Sequence, residues 1–300
     1  MTFPSPSAAS LEVLIDPFLL DHPGKLEAAC IGIAGPVKEG RAVVTNLPWT
    51  VDAPQLARHL SLPEVGLIND VEANAWAVSA LSPGDFTILN SGTAVPESTA
   101  AVIAAGTGLG QAGLCWSGGE HLPIPSEGGH VDFAPRNRLE IELLEYLQQK
   151  LGKRVSYERV LSGPGLLNIY SFLRDTGRGE EPDWLAKKLT AANAPAEISA
   201  AASQCTLADM AMELFVSIYG AAAGNVALQF MATAGVFIGG GIAPRIISRL
   251  KEKTFLEAYL DKGRLTPVVS AIPVRVIMND MAALLGAARC AWRLRRTRST

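Results

Sequence analysis

The chain has 300 residues, 48% hydrophobic and 18% charged, a balance that excludes intrinsic disorder and gives enough apolar surface for a substantial core and two domains. The formal net charge is −3, and the one basic cluster, Arg293, Arg295, Arg296 and Arg298, sits at the C-terminus; a nucleic-acid binder would instead carry a basic face interleaved with aromatics. The cysteines, Cys30, Cys115, Cys205 and Cys290, lack zinc or redox spacing and fit a reducing cytoplasm, and residues 1–14 show neither the basic nor the apolar region of a secretory signal, so export is not expected.

Residues 10–20 place Leu11, Leu14, Ile15, Phe18 and Leu19 at helical spacing, interrupted weakly by Pro17. The apolar run at 28–34, closed by Gly35 and Pro36, predicts a buried strand, 41–45 a second one, and 46–49 a segment leaving the sheet. A helix is expected over 51–60, a strand over 65–68 and a helix over 71–81. Asn69 and Asp70 thus stand at the carboxyl end of a strand, where α/β folds place ligands. Taken alone, an acid there reads as the cap of the next helix.

Strands are expected at 87–89, 100–104, 110–116 and 121–124, joined by tight glycine turns into an antiparallel meander. Gly106, Gly108, Gly110 and Gly113 offer positive φ and close backbone approach, so that amides could face an anion. Gly108 to Gly113 matches a dinucleotide fingerprint in letters, but that motif must open a helix and here the chain runs on into Trp116, paired glycines and prolines. Glu127 and His130 follow, held apart by Gly128 and Gly129, and His130 read alone would be a satisfied core histidine.

Helical pattern returns over 139–151 and from 157 onward, with Ser156 as cap and Glu158 in the first turn. Residues 182–201 read as exposed helix and loop, and 207–230 as a long buried helix. No charge lies between Glu213 and Arg245, yet Asn225, Gln229 and several glycines favour a buried helix and strand over a membrane span. The strand at 236–238 opens into Gly239, Gly240 and Gly241, which leave room for a flat or anionic ligand or simply make a tight turn. A last strand over 273–277 and a last helix over 281–294 complete the chain.

Several blocks in one fixed order carry a resemblance. They are IAGPV at 33–37, TNLPW at 45–49, LINDVEANA at 67–75, AAGTGLGQA at 104–112, PSEGGHVDFAP at 125–135, SYERVLSGPGLLNIY at 156–170, the glycine-rich 235–245 and DKGR at 261–264. Together they resemble the bacterial glucokinase family, sugar kinases of the actin, Hsp70 and hexokinase superfold. The resemblance implies an α/β, two-lobed, ribonuclease-H-like fold, with residues 1–80 plus 279–300 as a small domain, 81–278 as a large one, and the sugar in the cleft between them. It further implies ATP-dependent phosphorylation of glucose at its 6-hydroxyl. Asp70 becomes the general base, and Asn69, Glu127, His130 and Glu158 the sugar contacts. Gly106, Thr107, Gly108 and Gly110 become a phosphate loop, and Gly239, Gly240 and Gly241 an adenosine-binding turn. ATP and Mg²⁺ are the implied cofactors, and a cytoplasmic homodimer without nucleic-acid or membrane partners the implied state. A related branch carries a zinc-binding cysteine cluster after its histidine; no cysteine lies between Cys115 and Cys205, so structural zinc is not expected.

The sequence departs from the family at its start. Members begin with a strand, an Asp-x-Gly-Gly-Thr turn and a second strand that form a first phosphate loop; here the first matching residues fall in the helix after them. The fold is thus expected to be N-terminally truncated by about thirty residues, the scale of a β-hairpin plus a strand, with a sheet edge exposed. A misassigned start codon and a short glucose-binding or regulatory relative both account for this, and the retained Asp70, Glu127, His130 and Glu158 favour the first. A sugar-responsive repressor is disfavoured, because no helix-turn-helix precedes the kinase-like part. Asp280 to Leu284 stands where the family commonly has Asn-Pro-Gly, a change confined to a turn.

Overall fold

The computed structural model describes every residue except Met1, Asn46, Lys153, Ala191, Ala192, Arg298, Ser299 and Thr300. Asn46 of the TNLPW block and Arg298 of the basic cluster therefore lie outside the described residues. The chain divides into two compact units, one made of Met1–Ser82 and Asn279–Thr300, the other of Pro83–Met278.

In the first unit, α1 (Glu12–Asp21) precedes β1 (Cys30–Ile33), the short β2 (Val37–Lys38), β3 (Arg41–Val43), β4 (Thr50–Asp52), α2 (Ala53–His59), β5 (Gly66–Asn69) and α3 (Asp70–Ala77). Strands β1 and β5 pair in parallel, with Ile33 opposite Asn69, while β2, β3 and β4 form an antiparallel sheet. Ile33, Ala42, Val51, Leu56, Ala57, Leu62 and Val65 make the apolar core of this unit. The helix expected from residue 51 begins later, because Thr50–Asp52 is strand β4. Asp52 Oδ1 accepts the Gln55 N–H at 2.8 Å, and Pro54 in the first turn loses no intrahelical bond, so the helix starts there. The two-residue β2 is too short to leave a periodic signature.

The second unit contains β6 (Phe86–Asn90), β7 (Ala100–Ala105), β8 (Leu109–Ser117), β9 (Glu120–Ser126), α4 (Arg138–Leu151), α5 (Gly163–Asp175), α6 (Asp183–Ala186), α7 (Ala194–Ala201) and α8 (Thr206–Gln229). These are followed by β10 (Gly235–Gly239), α9 (Ile247–Leu250), α10 (Lys253–Leu260), α11 (Thr266–Ala271) and β11 (Val274–Ile277), after which α12 (Ala282–Thr297) belongs to the first unit. One six-stranded sheet runs β6-β11-β10-β7-β8-β9. The antiparallel meander holds for β7, β8 and β9 but not for β6, which lies at the far edge, antiparallel to β11. Strand β7 is buried at every residue, as its AAVIAA sequence requires for a centre flanked on both sides.

Helix α8 is the core helix of this unit. By length and composition alone it could cross a membrane, but 78% of its most apolar 18-residue window is buried. Residues 182–201 are less exposed than expected, since Leu185, Ala194, Ile198 and Ala201 face the core. The helix expected from 157 is also displaced. Tyr157–Arg159 is a single 3-10 turn, and α5 starts at Gly163. Its cap is Ser162, whose Oγ accepts the Gly165 N–H at 3.0 Å, and Ser156 makes no cap bond. Val160 packs so closely on Gly165 that a Cβ there would sit 2.6 Å from its carbonyl carbon, which fixes the sharp entry into the helix.

Candidate active site

The site residues read from the sequence fall on both units. In the first, β5 carries Asn69 at its carboxyl end, and Asn69 Oδ1 accepts the Glu72 N–H at 2.6 Å as the cap of α3. The capping duty expected of Asp70 is thereby taken by its neighbour. Asp70 Oδ1 accepts the Val71 N–H at 2.9 Å, and its carbonyl oxygen accepts from Asn74 Nδ2 at 2.8 Å. The Asp70 side chain stays open to solvent. Protein packed around it nevertheless displaces enough water to raise its pKa above the ordinary aspartate value, against the lowering effect of hydrogen bonds from the Val71 and Asp70 amides.

In the second unit, β7 and β8 are joined by a turn closed by Gly106 N–H donating to Gly108 O at 2.8 Å; from α5, the Gly163 N–H donates to Gly106 O at 2.8 Å. Thr107 is exposed at its tip. The expectation that Gly106, Gly108, Gly110 and Gly113 adopt positive φ is not met; none does. What they provide instead, where they provide anything, is proximity. A Cβ on Gly108 would lie 2.6 Å from Glu158 Oε2, and one on Gly113 2.6 Å from the Phe230 ring.

That approach brings Glu158 onto the loop. Its Oε2 accepts the Leu109 N–H at 3.1 Å and stands 4.0 Å from His130 Nε2, beyond hydrogen-bond reach. The His130 side chain is 54% exposed, which removes the core-histidine reading. Its main chain is fixed on both sides, with its N–H donating to Glu127 O at 2.9 Å and its carbonyl accepting from Arg154 Nη2. Glu127 points into solvent one turn earlier. The paired glycines between them cannot be replaced without movement, because a Cβ on Gly129 would fall 1.8 Å from Leu109 O and one on Gly128 2.3 Å from Gln111 Oε1. Glu158, His130 and the Gly106–Gly108 loop are therefore one locally braced cluster.

The third glycine run adjoins it. Strand β10 pairs in parallel with β7, Gly239 opposite Ala104, and its last residues turn back across the end of β7. Gly240 has φ +81°, and a Cβ there would lie 2.3 Å from Ala105 O; the same oxygen accepts the Ile242 N–H at 3.3 Å. Both glycine turns thus leave the carboxyl ends of neighbouring parallel strands, where α/β folds place ligands, although in the first of them the Gly106 and Leu109 amides are already bonded to Gly108 O and Glu158 Oε2. Residues not read from the sequence as part of the site also brace it. Arg154 Nε pairs with Asp132 at 2.7 Å while holding His130 O, and Asn225 Nδ2 donates to the Tyr157 hydroxyl at 3.1 Å beside Glu158. The polarity of Asn225 within the apolar stretch 220–228 of α8 is the available signal.

Adjacent amide-rich turns at the ends of parallel strands, beside a cluster of carboxylate and imidazole, define an α/β sugar-kinase fold of the actin and hexokinase type. Solved structures agree. A glucokinase from an Antarctic psychrotroph is 33% identical with a TM-score of 0.84, over 98% of this chain and 89% of that one. A ROK family glucokinase from Streptomyces griseus, solved in complex with glucose and AMPPNP, is 21% identical with a TM-score of 0.60, over 96% of this chain and 90% of that one, and shares the fold. A glucokinase from a Nostoc species is 42% identical over 297 residues, spanning 94% of this chain and 86% of the relative. The family model described as Glucokinase matches residues 1–294. The chain belongs to the glucokinase family.

Proposed function

We propose that this enzyme transfers the γ-phosphoryl group of ATP to the 6-hydroxyl of glucose, with Asp70 as general base. The observation that carries the assignment of the base is the state of Asp70. It stands at the end of a strand, is relieved of capping by Asn69, and has a carboxyl whose pKa is raised by loss of water. A sugar hydroxyl is a poor nucleophile at neutral pH, so a carboxylate within reach must take its proton as transfer proceeds, and a base with a raised pKa takes it more readily.

The remaining polar groups orient the sugar. Glucose hydroxyls both donate and accept, and Glu127, His130 and Glu158 offer acceptors and a two-sided imidazole. Asn69 spends its Oδ1 on the Glu72 amide, which leaves its side-chain NH₂ as the donor to a hydroxyl. The Thr107 and Gly108 amides of the Gly106–Gly110 turn hold phosphate oxygens, its Gly106 and Leu109 amides being spent on Gly108 O and Glu158 Oε2, and the Gly239–Gly241 turn takes the adenosine end of ATP. A Mg²⁺ carried mainly on phosphate oxygens and water needs no cage of protein side chains. When bound, Mg²⁺ offsets charge on the β and γ oxygens. The homodimer and the cytoplasmic location rest on the family resemblance.

The test is glucose-dependent ADP release by the purified chain and by Asp70→Asn. Release by the wild type that falls to background in the variant supports the assignment. Equal rates in the two would sink the base, and no release by either would sink the reaction.

A further inference from the structure

Tyr219 lies in the middle of α8, fully buried, with its ring held edge-on by Phe215 at 6.1 Å and Phe255 at 6.0 Å between centroids. Its hydroxyl reaches the sheet where β7 and β10 end. It accepts the Ala105 N–H at 3.4 Å and donates to Gly239 O at 3.4 Å. Ala105 is the residue before the Gly106–Gly110 turn, and Gly239 opens the Gly239–Gly241 turn. The Ala105 carbonyl is also the surface onto which Gly240 and the Ile242 amide fold. One hydroxyl therefore ties together the two residues from which both glycine turns depart. Only a neutral phenol can donate and accept at once, and burial raises the Tyr219 pKa well above the ordinary tyrosine value, against the lowering hydrogen bond from Ala105.

We infer that Tyr219 is a positioning residue for the nucleotide: through Ala105 and Gly239 its hydroxyl sets the spacing of the two glycine turns, and with it the simultaneous fit of the first turn to the phosphates and of the second to the adenosine end of ATP. This rests on the reading that those turns bind the nucleotide. Two partners by themselves only satisfy the donor and the acceptor of a buried phenol; what bears on the nucleotide is which residues they are. Here both partners are turn anchors, and the ring needs no hydroxyl to stay packed.

The experiment is Tyr219→Phe, which keeps the ring and removes the bridge. Steady-state kinetics gives KM for ATP and for glucose, titration calorimetry with AMPPNP gives nucleotide affinity directly, and a melt gives stability. Expected is a rise of about 3- to 10-fold in KM for ATP and in the AMPPNP Kd, the effect of losing one hydrogen-bonded bridge, with KM for glucose unchanged. Phe255→Leu serves as the packing control and is expected to lower Tm without changing the ratio of the two KM values. Gly240→Ala tests the turn itself and is expected to weaken ATP. If Gly240→Ala weakens ATP while Tyr219→Phe does not, Tyr219 has no positioning role and the nucleotide reading stands. If neither moves it, the nucleotide reading falls and the inference with it. A rise in both KM values together with a lower Tm in Tyr219→Phe overturns the inference in favour of a structural role.

Discussion

Glu158 accepts the main-chain N–H of Leu109 through Oε2 at 3.1 Å, so a carboxylate assigned to the sugar also fastens the loop assigned to phosphate. The two functions of Glu158 separate by substitution. Glu158→Gln retains an acceptor for Leu109 and loses the charge, so its melt should match the wild type while KM for glucose rises by about tenfold, the worth of a charge-assisted hydrogen bond. Glu158→Ala also strands the Leu109 N–H and should destabilise the chain by about 1–3 kcal/mol in urea unfolding. Equal stability of the Gln and Ala variants would show that the amide bond contributes nothing.

Asp70 should respond to pH in both rate and stability. Because its pKa is raised, the acidic limb of kcat/KM should lie at higher pH than an ordinary carboxylate would give, and Asp70→Asn should lower kcat by about 10²- to 10⁴-fold. The stability sign follows from linkage. A carboxyl with a folded pKa above its unfolded value binds more protons in the folded state between the two, so stability falls as pH rises through that window and the penalty persists above it. Asp70→Asn should therefore melt higher than the wild type at pH 7, with the difference vanishing below the unfolded pKa near 3.8. A lower Tm for the variant at neutral pH would contradict the burial argument.

Two glycines in the same region should behave oppositely. A Cβ on Gly129 meets Leu109 O at 1.8 Å, whereas one on Gly106 meets nothing within 4 Å. Gly129→Ala must shift backbone against backbone and should cost about 1–3 kcal/mol of stability with loss of glucose affinity. Gly106→Ala should leave Tm within error and weaken ATP alone, because its methyl would stand on the turn proposed to take the phosphates. Calorimetric titration of each ligand into both variants checks the contrast.

Outside the site, the strongest stability effect is expected at Arg136. Glu140 is fully buried and is held by the Arg136 amide at 2.8 Å and its guanidinium, which also reaches Ser217 Oγ at 2.8 Å. Arg136→Met leaves a buried carboxylate without its cation and should cost about 3–5 kcal/mol. The double variant Arg136→Met with Glu140→Leu should recover most of it. Urea unfolding of the three proteins decides, and failure to recover would mean the pair is not the source of the loss.

Much of this was legible from local pattern. The six apolar residues of β7, the long apolar run of α8 and the strand-end pair Asn69–Asp70 declare themselves through composition and period. The strand pairing that local pattern does not give is that of β6, whose Thr87 stands opposite Val276 of β11; nothing in residues 86–90 says which strand it will meet. The start of α5 escaped as well. A 3.6-residue pattern runs through Tyr157, Glu158 and Leu161 whether or not the chain breaks at Ser162, and the break depends on Gly165 packing against Val160.

The sequence by itself determined the kinds of chemistry present: a strand-end carboxylate, an acid and an imidazole around paired glycines, and two further glycine turns, in an order that identifies the family. Only the tertiary structure decided how those parts are used. It made Asn69 rather than Asp70 the cap, showed that Gly108 and Gly113 serve close approach and that no glycine of the 106–113 run takes positive φ, and set Glu158 on Leu109 and Tyr219 between Ala105 and Gly239. The Asn69 cap is local, but the approaches of Gly108, Gly113, Glu158 and Tyr219 bring together groups whose meeting depends on which faces the core packs together. Residue order fixes local conformation within a few positions, and burial of apolar surface fixes the rest.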